Sequence, residues 1–129
     1  MSRARALRGA SARKTGRRAE WLAALWLMAK GYRILGFRLK SPKGEIDLLA
    51  LKGKVLAVVE VKQRQDLATA LECVSRDQRE RLRRAARAIA ARRRGLAGMT
   101  VRLDLFALAP GAWPRHIPAA WTDDESPHP

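Results

Sequence analysis

The stretch Gly44–Lys62, GEIDLLALKGKVLAVVEVK, decides how the rest of the chain folds. It holds two apolar runs, Ile46 to Leu51 and Val55 to Val61, separated by Lys52, Gly53 and Lys54. A short interruption of that kind joins antiparallel strands. Neither run alternates strictly between apolar and polar residues, so both strands are expected to be buried on two faces, in a sheet covered by helices. Four polar side chains stand out against this background: Glu45, Asp47, Glu60 and Lys62. Residues two apart in a strand share a face, roughly 6.6 Å apart along the chain. Glu60 and Lys62 therefore share a face, and a simple hairpin register brings Asp47 beside Glu60.

Two carboxylates and an ammonium at the end of an apolar hairpin are costly unless something compensates. Burial disfavours the ionised carboxylate, so such groups pair with cations or hold a metal. Two readings fit the residues. In one, Asp47 and Glu60 hold a hard divalent cation such as Mg²⁺, which takes oxygen ligands and often uses only one or two carboxylates. In the other, they pair with Lys62 and nearby arginines in an ordinary charged sheet rim.

Upstream, Thr15 to Lys30 reads as a helix in which every residue from Ala19 to Ala29 except Glu20 is apolar. A helix apolar nearly all round is expected to be buried, with Trp21 and Trp26 in the core. The apolar run is too short to cross a bilayer. Glu20 is either a helix-start carboxylate favoured by the helix dipole or a further metal ligand. Gly31 caps this helix, Tyr32 to Leu39 reads as a first strand, and Ser41-Pro42-Lys43-Gly44 turns into the hairpin.

Downstream, Gln63 to Asp66 is loop-like, with Arg64 placed to extend the Lys62 face toward a phosphate. Leu67 to Val74 is a short apolar link. Ser75 begins a second long helix: Gln78 three residues on fits a capping box, and Leu82, Ala85, Ala86, Ile89 and Ala90 form a core stripe. Its remaining surface carries nine arginines, including Arg76, Arg79, Arg83 and Arg87, against Asp77 and Glu80. Guanidinium groups suit bidentate phosphate contact, so this face is the candidate nucleic-acid surface. Met99 to Leu108 is a further strand in which Arg102 and Asp104 sit on one side and read as a local ion pair. A single histidine such as His116 more commonly serves structure than ligation.

With these residues in place, GEIDLLA, a turn and VVEVKQR resemble the YraN family of bacterial proteins, within the PD-(D/E)XK nuclease-like superfamily and its Holliday-junction-resolvase-like branch. The resemblance runs from about Gly16 to Trp121. It implies an α/β, restriction-endonuclease-like α-β-β-β-α-β core, a mixed central sheet flanked by helices. Glu60-Val61-Lys62 supplies the (D/E)XK half of the motif, Asp47 the other aspartate, and Glu20 matches the glutamate of the first helix. The family also carries an RxD strand, matched by Arg102 and Asp104, and a signature matched by His116-Ile117. Where such sequences tend to have lysine, this chain has Gln78. What the resemblance implies is Mg²⁺- or Mn²⁺-dependent hydrolysis of nucleic acid, with Asp47, Glu60 and Glu20 as metal ligands and Lys62 completing the catalytic set.

Composition points the same way. The 129 residues suit one domain. Twenty-seven Lys and Arg against 12 Asp and Glu give a net charge of +15, which makes a polyanion the expected partner, nucleic acid ahead of an anionic membrane; within the resemblance, DNA is the expected nucleic acid. Residues 1–14 are basic, with no acid, and are expected to form an arm without regular structure; 15–122 form the domain and 123–129 an acidic disordered tail. The sole cysteine, Cys73, excludes an internal disulfide and suits a reducing cytoplasm. Arg17-Arg18 before an apolar run resembles an export signal, but Glu20 interrupts it and no A-x-A site follows Ala29. No small-molecule cofactor is expected, and a two-fold homodimer would suit a junction substrate. The opposing reading is a nucleic-acid-binding module that has the scaffold and performs no hydrolysis.

Overall fold

The computed structural model describes residues 3–122, with side chains from Gly16 onward. The elements run α1 (Arg3–Ala29), β1 (Arg33–Ser41), β2 (Gly44–Lys52), β3 (Val55–Gln63), α2 (Leu67–Glu72), α3 (Arg76–Arg92), β4 (Thr100–Leu108) and β5 (Arg115–Ile117). The five strands form one sheet in sequence order. Pairing is antiparallel except between β3 and β4, which are parallel. A parallel pair needs a crossover connection, and α2 and α3 supply it.

The Gly44–Lys62 hairpin forms as its sequence demands. Lys52 pairs with Val55, leaving a two-residue turn whose first residue, Gly53, has φ +60°. That is where a type II′ hairpin turn requires glycine. Leu48, Leu49, Ala50 and Leu56 to Val59 are fully buried, which explains the missing alternation: apolar clusters lie on both faces of the sheet. One joins Leu49, Leu56, Val58, Leu103 and Leu105 to Leu82, Ala85, Ala86 and Ala90 of α3. The other joins Leu48, Ala50, Ala57, Val59 and Phe106 to Ala23, Ala24 and Leu27 of α1.

Two expectations about α1 change. The helix begins at Arg3, so the segment expected as an irregular arm continues it. Ala, Leu and Arg are strong helix formers, and extending an existing helix avoids a new nucleation. Nor is α1 buried all round. Ala19, Ala23, Ala24 and Leu27 meet the sheet, while Trp21 is 61% exposed and Leu22, Leu25 and Met28 also face solvent. The sheet covers only one side of the helix, so the apolar run from Ala19 to Ala29 is buried on that side alone. Trp21 instead lies against Phe37 with ring centroids 5.1 Å apart, and Trp26 is half-buried against Phe106. The acidic tail, 123–129, lies outside the described residues.

Ser75 caps α3, its hydroxyl accepting from Gln78 N at 3.1 Å. The link after β3 is itself a helix, α2, whose cap Asp66 accepts from Thr69 N at 2.8 Å. Among the described residues no helix is long and apolar enough to cross a membrane.

Candidate functional site

The site forms where β2 enters the sheet and β3 leaves it. Leu48 pairs with Val59, so the next rung sets Asp47 opposite Glu60. The backbone N–H of Val61 donates to Asp47 Oδ2 at 3.0 Å, fixing that carboxylate against β3. Lys62, two residues beyond Glu60, brings its Nζ within 3.9 Å of Glu60 Oε2. Glu60 is only 3% exposed, and its Oε1 is buried without a hydrogen-bond partner among the described residues.

Electrostatics follow from burial. Desolvation, and next the neighbouring Asp47 charge, push the Glu60 carboxyl up to about 8, against the pull of Lys62. Asp47 is also raised by burial, opposed by the Val61 hydrogen bond and Lys62. Burial and the neighbouring Asp47 charge thus favour the protonated form of Glu60 near neutrality, a state that a divalent cation would displace.

Both neighbouring strands are irregular here. Ile46 and Leu48 sit two apart on β2 yet belong to clusters on opposite faces, so the strand changes face around Asp47. On β1, Phe37 pairs with Leu48 and Leu39 with Ile46, which sets Arg38 across from Asp47. Arg38 has φ +49°, a left-handed conformation costing a non-glycine residue about 1–2 kcal/mol. Strain of this kind concentrates at functional sites. Arg38 Nε contacts Glu20 Oε1 at 2.9 Å.

That contact decides how Glu20 stands. α1 does deliver it to the site's edge, where the charge on Glu20 raises Glu60 and that on Asp47 raises Glu20. Its carboxylate is engaged by Arg38, however, and burial is the main cause of its own raised pKa. Among the described residues no three His, Cys, Asp or Glu side chains gather closely enough to cage an ion. The close unit is Asp47, Glu60 and Lys62.

The basic residues divide. A cavity of about 400 Å³ is lined by Glu45, two residues before Asp47 on β2, and by Ser75, Gln78, Arg81 and Leu82. Ser75, Gln78 and Arg81 are spaced by three and share one flank of α3. At 100° per residue, Arg76, Arg83 and Arg87 lie roughly 120–160° around the helix from Arg81. Arg79 is committed to structure, donating to Val74 O at 2.8 Å and lying over the Trp121 ring at 5.6 Å. Arg64 is exposed just past Lys62. Sequence reading does not single out Arg38 or Arg115, and it includes Arg81 only as one of the nine arginines of the candidate surface; the three-residue spacing from the Ser75 cap is the signal that separates Arg81 from the others.

A second polar cluster occupies the α1 face of the sheet. Asp104 is fully buried and accepts from Arg102 Nε and Nη2, both at 2.7 Å, and from Ala119 N at 3.1 Å. His116 Nε2 lies 2.8 Å from Asp104 Oδ2, and Lys30 Nζ lies 2.6 Å from His116 Nδ1. An ammonium only donates, so Nδ1 accepts and Nε2–H donates to Asp104. Arg102 also reaches the Tyr32 hydroxyl at 2.5 Å. The Arg102–Asp104 ion pair is present as expected, and His116 ties β5 to it.

The chain is thus a mixed α/β protein whose sheet presents two facing carboxyl groups and a lysine at one end. It belongs to the family described as "Uncharacterised protein family UPF0102", whose model matches residues 19–108. A UPF0102 protein of Caulobacter vibrioides is 69% identical over 114 residues, covering 88% of this chain and 91% of the relative. UPF0102 proteins of Maricaulis maris and Paramagnetospirillum magneticum are 48% identical over 122 residues and 49% over 118. Those matches cover 95% and 88% of this chain, and 94% and 92% of the relatives.

Proposed function

We propose that this protein is a metal-dependent endonuclease acting on nucleic acid, DNA ahead of RNA. The observation that carries the proposal is the buried Glu60 carboxyl with an unpartnered Oε1, facing Asp47 and flanked by Lys62. A structural ion pair satisfies its polar atoms; this one leaves an acceptor bare in a low-dielectric site. The element order, a helix, three antiparallel strands, helices and a parallel strand, agrees with the α-β-β-β-α-β core that the PD-(D/E)XK resemblance implies.

The donor set fits Mg²⁺ or Mn²⁺. Asp47 and Glu60 would hold the ion, with Glu20 in support if Arg38 releases it. When bound, such an ion polarises the scissile phosphate and lowers the pKa of a coordinated water. The chain's own residues do the rest. Val61 N–H fixes the Asp47 carboxylate before substrate arrives. Glu60 would have to lose its proton to serve as a ligand. The Lys62 ammonium stands beside the same oxygens and stabilises negative charge developing on the phosphate. Arg81 and Arg64 grip flanking phosphates, and the excess of basic residues supplies affinity that does not read sequence.

The opposing reading, a binding module without hydrolysis, draws on the Glu20–Arg38 contact at 2.9 Å, which occupies a carboxylate the metal site would use. The two separate in one experiment. Single-stranded, duplex, flap and four-way-junction DNA are incubated with the protein in Mg²⁺, Mn²⁺ or EDTA, beside Asp47→Ala and Lys62→Ala. Metal-dependent cleavage lost in both variants supports the endonuclease. Binding without cleavage under every metal condition supports the module.

A further inference from the structure

The end of the sheet beyond Lys62 carries a feature that the proposed chemistry leaves unused. Lys62 pairs with Ala107, and Ala107 pairs with Arg115. Rung partners point to the same face, so Lys62 and Arg115 lie on one side of the sheet, two strand spacings or about 10 Å apart. Between Leu108 and Arg115 the chain makes a tight turn, with Ala112 N donating to Ala109 O at 3.2 Å. Directly after this turn stands Trp113, 82% exposed. The first residues of the turn, Ala109 and Pro110, wall a cavity of about 600 Å³ whose other side is Gln63, Arg64 and Gln65. Arg64 N donates to Leu108 O at 3.0 Å, which holds the two walls together.

An isolated exposed apolar residue needs no explanation. Here an open indole follows three residues after Pro110, a wall of an apolar-lined cavity whose opposite wall carries Gln63, Gln65 and the exposed Arg64, and Arg115 is exposed two residues further on. Tryptophan is highly buried on average, and it is favoured where one partner offers a flat apolar face beside water. Indole stacking with cations alongside is how proteins hold unpaired bases.

We propose that Trp113 and the Gln63–Pro110 cavity form a subsite for an unpaired nucleobase. The substrate then carries single-stranded nucleotides next to the phosphate held at Asp47 and Glu60, as a flap, gap or branch does. A fully paired duplex keeps its bases stacked on each other and offers nothing to this surface. The location of the cut rests on the endonuclease reading, but the stacking does not require hydrolysis.

The test is binding in EDTA, by fluorescence anisotropy of a labelled single strand and of the blunt duplex of the same sequence. Trp113→Ala is expected to weaken single-strand binding about tenfold or more. Duplex binding should stay within about twofold, and the dependence on salt should be unchanged, because no phosphate contact is lost. Trp113→Phe keeps most of the affinity, and Arg115→Glu reduces the salt dependence. A Trp113→Ala protein that binds single strand as tightly as the parent, or that loses both substrates equally, overturns the proposal. The same discrimination is expected in an Asp47→Ala background. A protein that cleaves nothing in Mg²⁺ yet keeps the Trp113-dependent preference would sink the endonuclease reading and support this one.

Discussion

Lys62 Nζ stands 3.9 Å from Glu60 Oε2, while Oε1 of the same carboxyl group is buried without a hydrogen-bond partner among the described residues. An ion pair built only for stability would use both oxygens, since a bare buried acceptor costs about 1–3 kcal/mol. The half-satisfied carboxyl is the physical basis for expecting a ligand at this end of the sheet.

Its titration is directly measurable. Glu60 is raised from an ordinary 4.5 to about 8, chiefly by burial. Between those values the folded protein keeps a proton that the unfolded chain has released, so this group's contribution to stability falls as pH rises from about 4.5 to about 8. Glu60→Gln removes it. In EDTA the stability of the parent relative to Glu60→Gln should therefore decline across this window, by an amount on the order of a few kcal/mol. Added Mn²⁺ should stabilise the parent more at pH 8.5 (about half a unit above the Glu60 midpoint) than at pH 6, because the ligand must lose its proton. Urea titrations check both, and parallel curves for the two proteins would contradict the assignment.

Lys62→Ala should lower kcat about 10²–10³-fold, as expected for one preorganised electrostatic contact to a transition state. Stability should hold or rise slightly below pH 7, because the Glu60 beside it is then largely protonated. Single-turnover cleavage with saturating enzyme checks the first part; a loss confined to KM would assign Lys62 to binding alone.

On the proposed function, the flank of α3 that meets nucleic acid is the one carrying Arg81. Arg81→Glu should weaken binding of any nucleic acid several-fold and reduce the slope of affinity against salt. Arg87→Glu, on the other flank, should have the smaller effect on cleavage. Salt-titrated binding of the two variants decides the order, and a larger loss for Arg87→Glu would move the contact surface away from the Glu45–Gln78 cavity.

Asp104 is the structural counterpart of Glu60: equally buried, but with every acceptor position used. Hydrogen bonds from His116 and Arg102 hold its carboxyl below the ordinary 3.8 despite burial. Its stabilising contribution is present above that value and lost as pH falls through the lowered pKa. Asp104→Asn leaves Arg102 without its counter-ion and should cost about 3–5 kcal/mol in denaturant unfolding. A cost under about 1 kcal/mol would mean the cluster is dispensable.

Much of this was legible in the chain. Glycine between two apolar runs announces the hairpin, and Ser75 with a periodic apolar stripe announces α3, because both are local signals. Asp47 and Glu60 were expected together from register alone, and the residues flanking the turn pair as that reading required. Other features were not local. Trp21 reads as core because no sequence shows that α1 has a sheet on only one side. Arg38 engages Glu20 from a strand whose left-handed kink has no glycine to announce it. β5 is three residues long, too short for periodicity, and is held by the His116–Asp104 contact across the sheet.

The most direct test of the central claim is cleavage of a flap or four-way-junction DNA by the protein and by Glu60→Gln, in Mn²⁺ and in EDTA. The variant keeps the shape of the site and removes only its ability to become a charged ligand. The account predicts cleavage by the parent in Mn²⁺ alone, lost in Glu60→Gln while DNA binding in EDTA is unchanged. Equal cleavage by both proteins, or cleavage by the parent in EDTA, would contradict it.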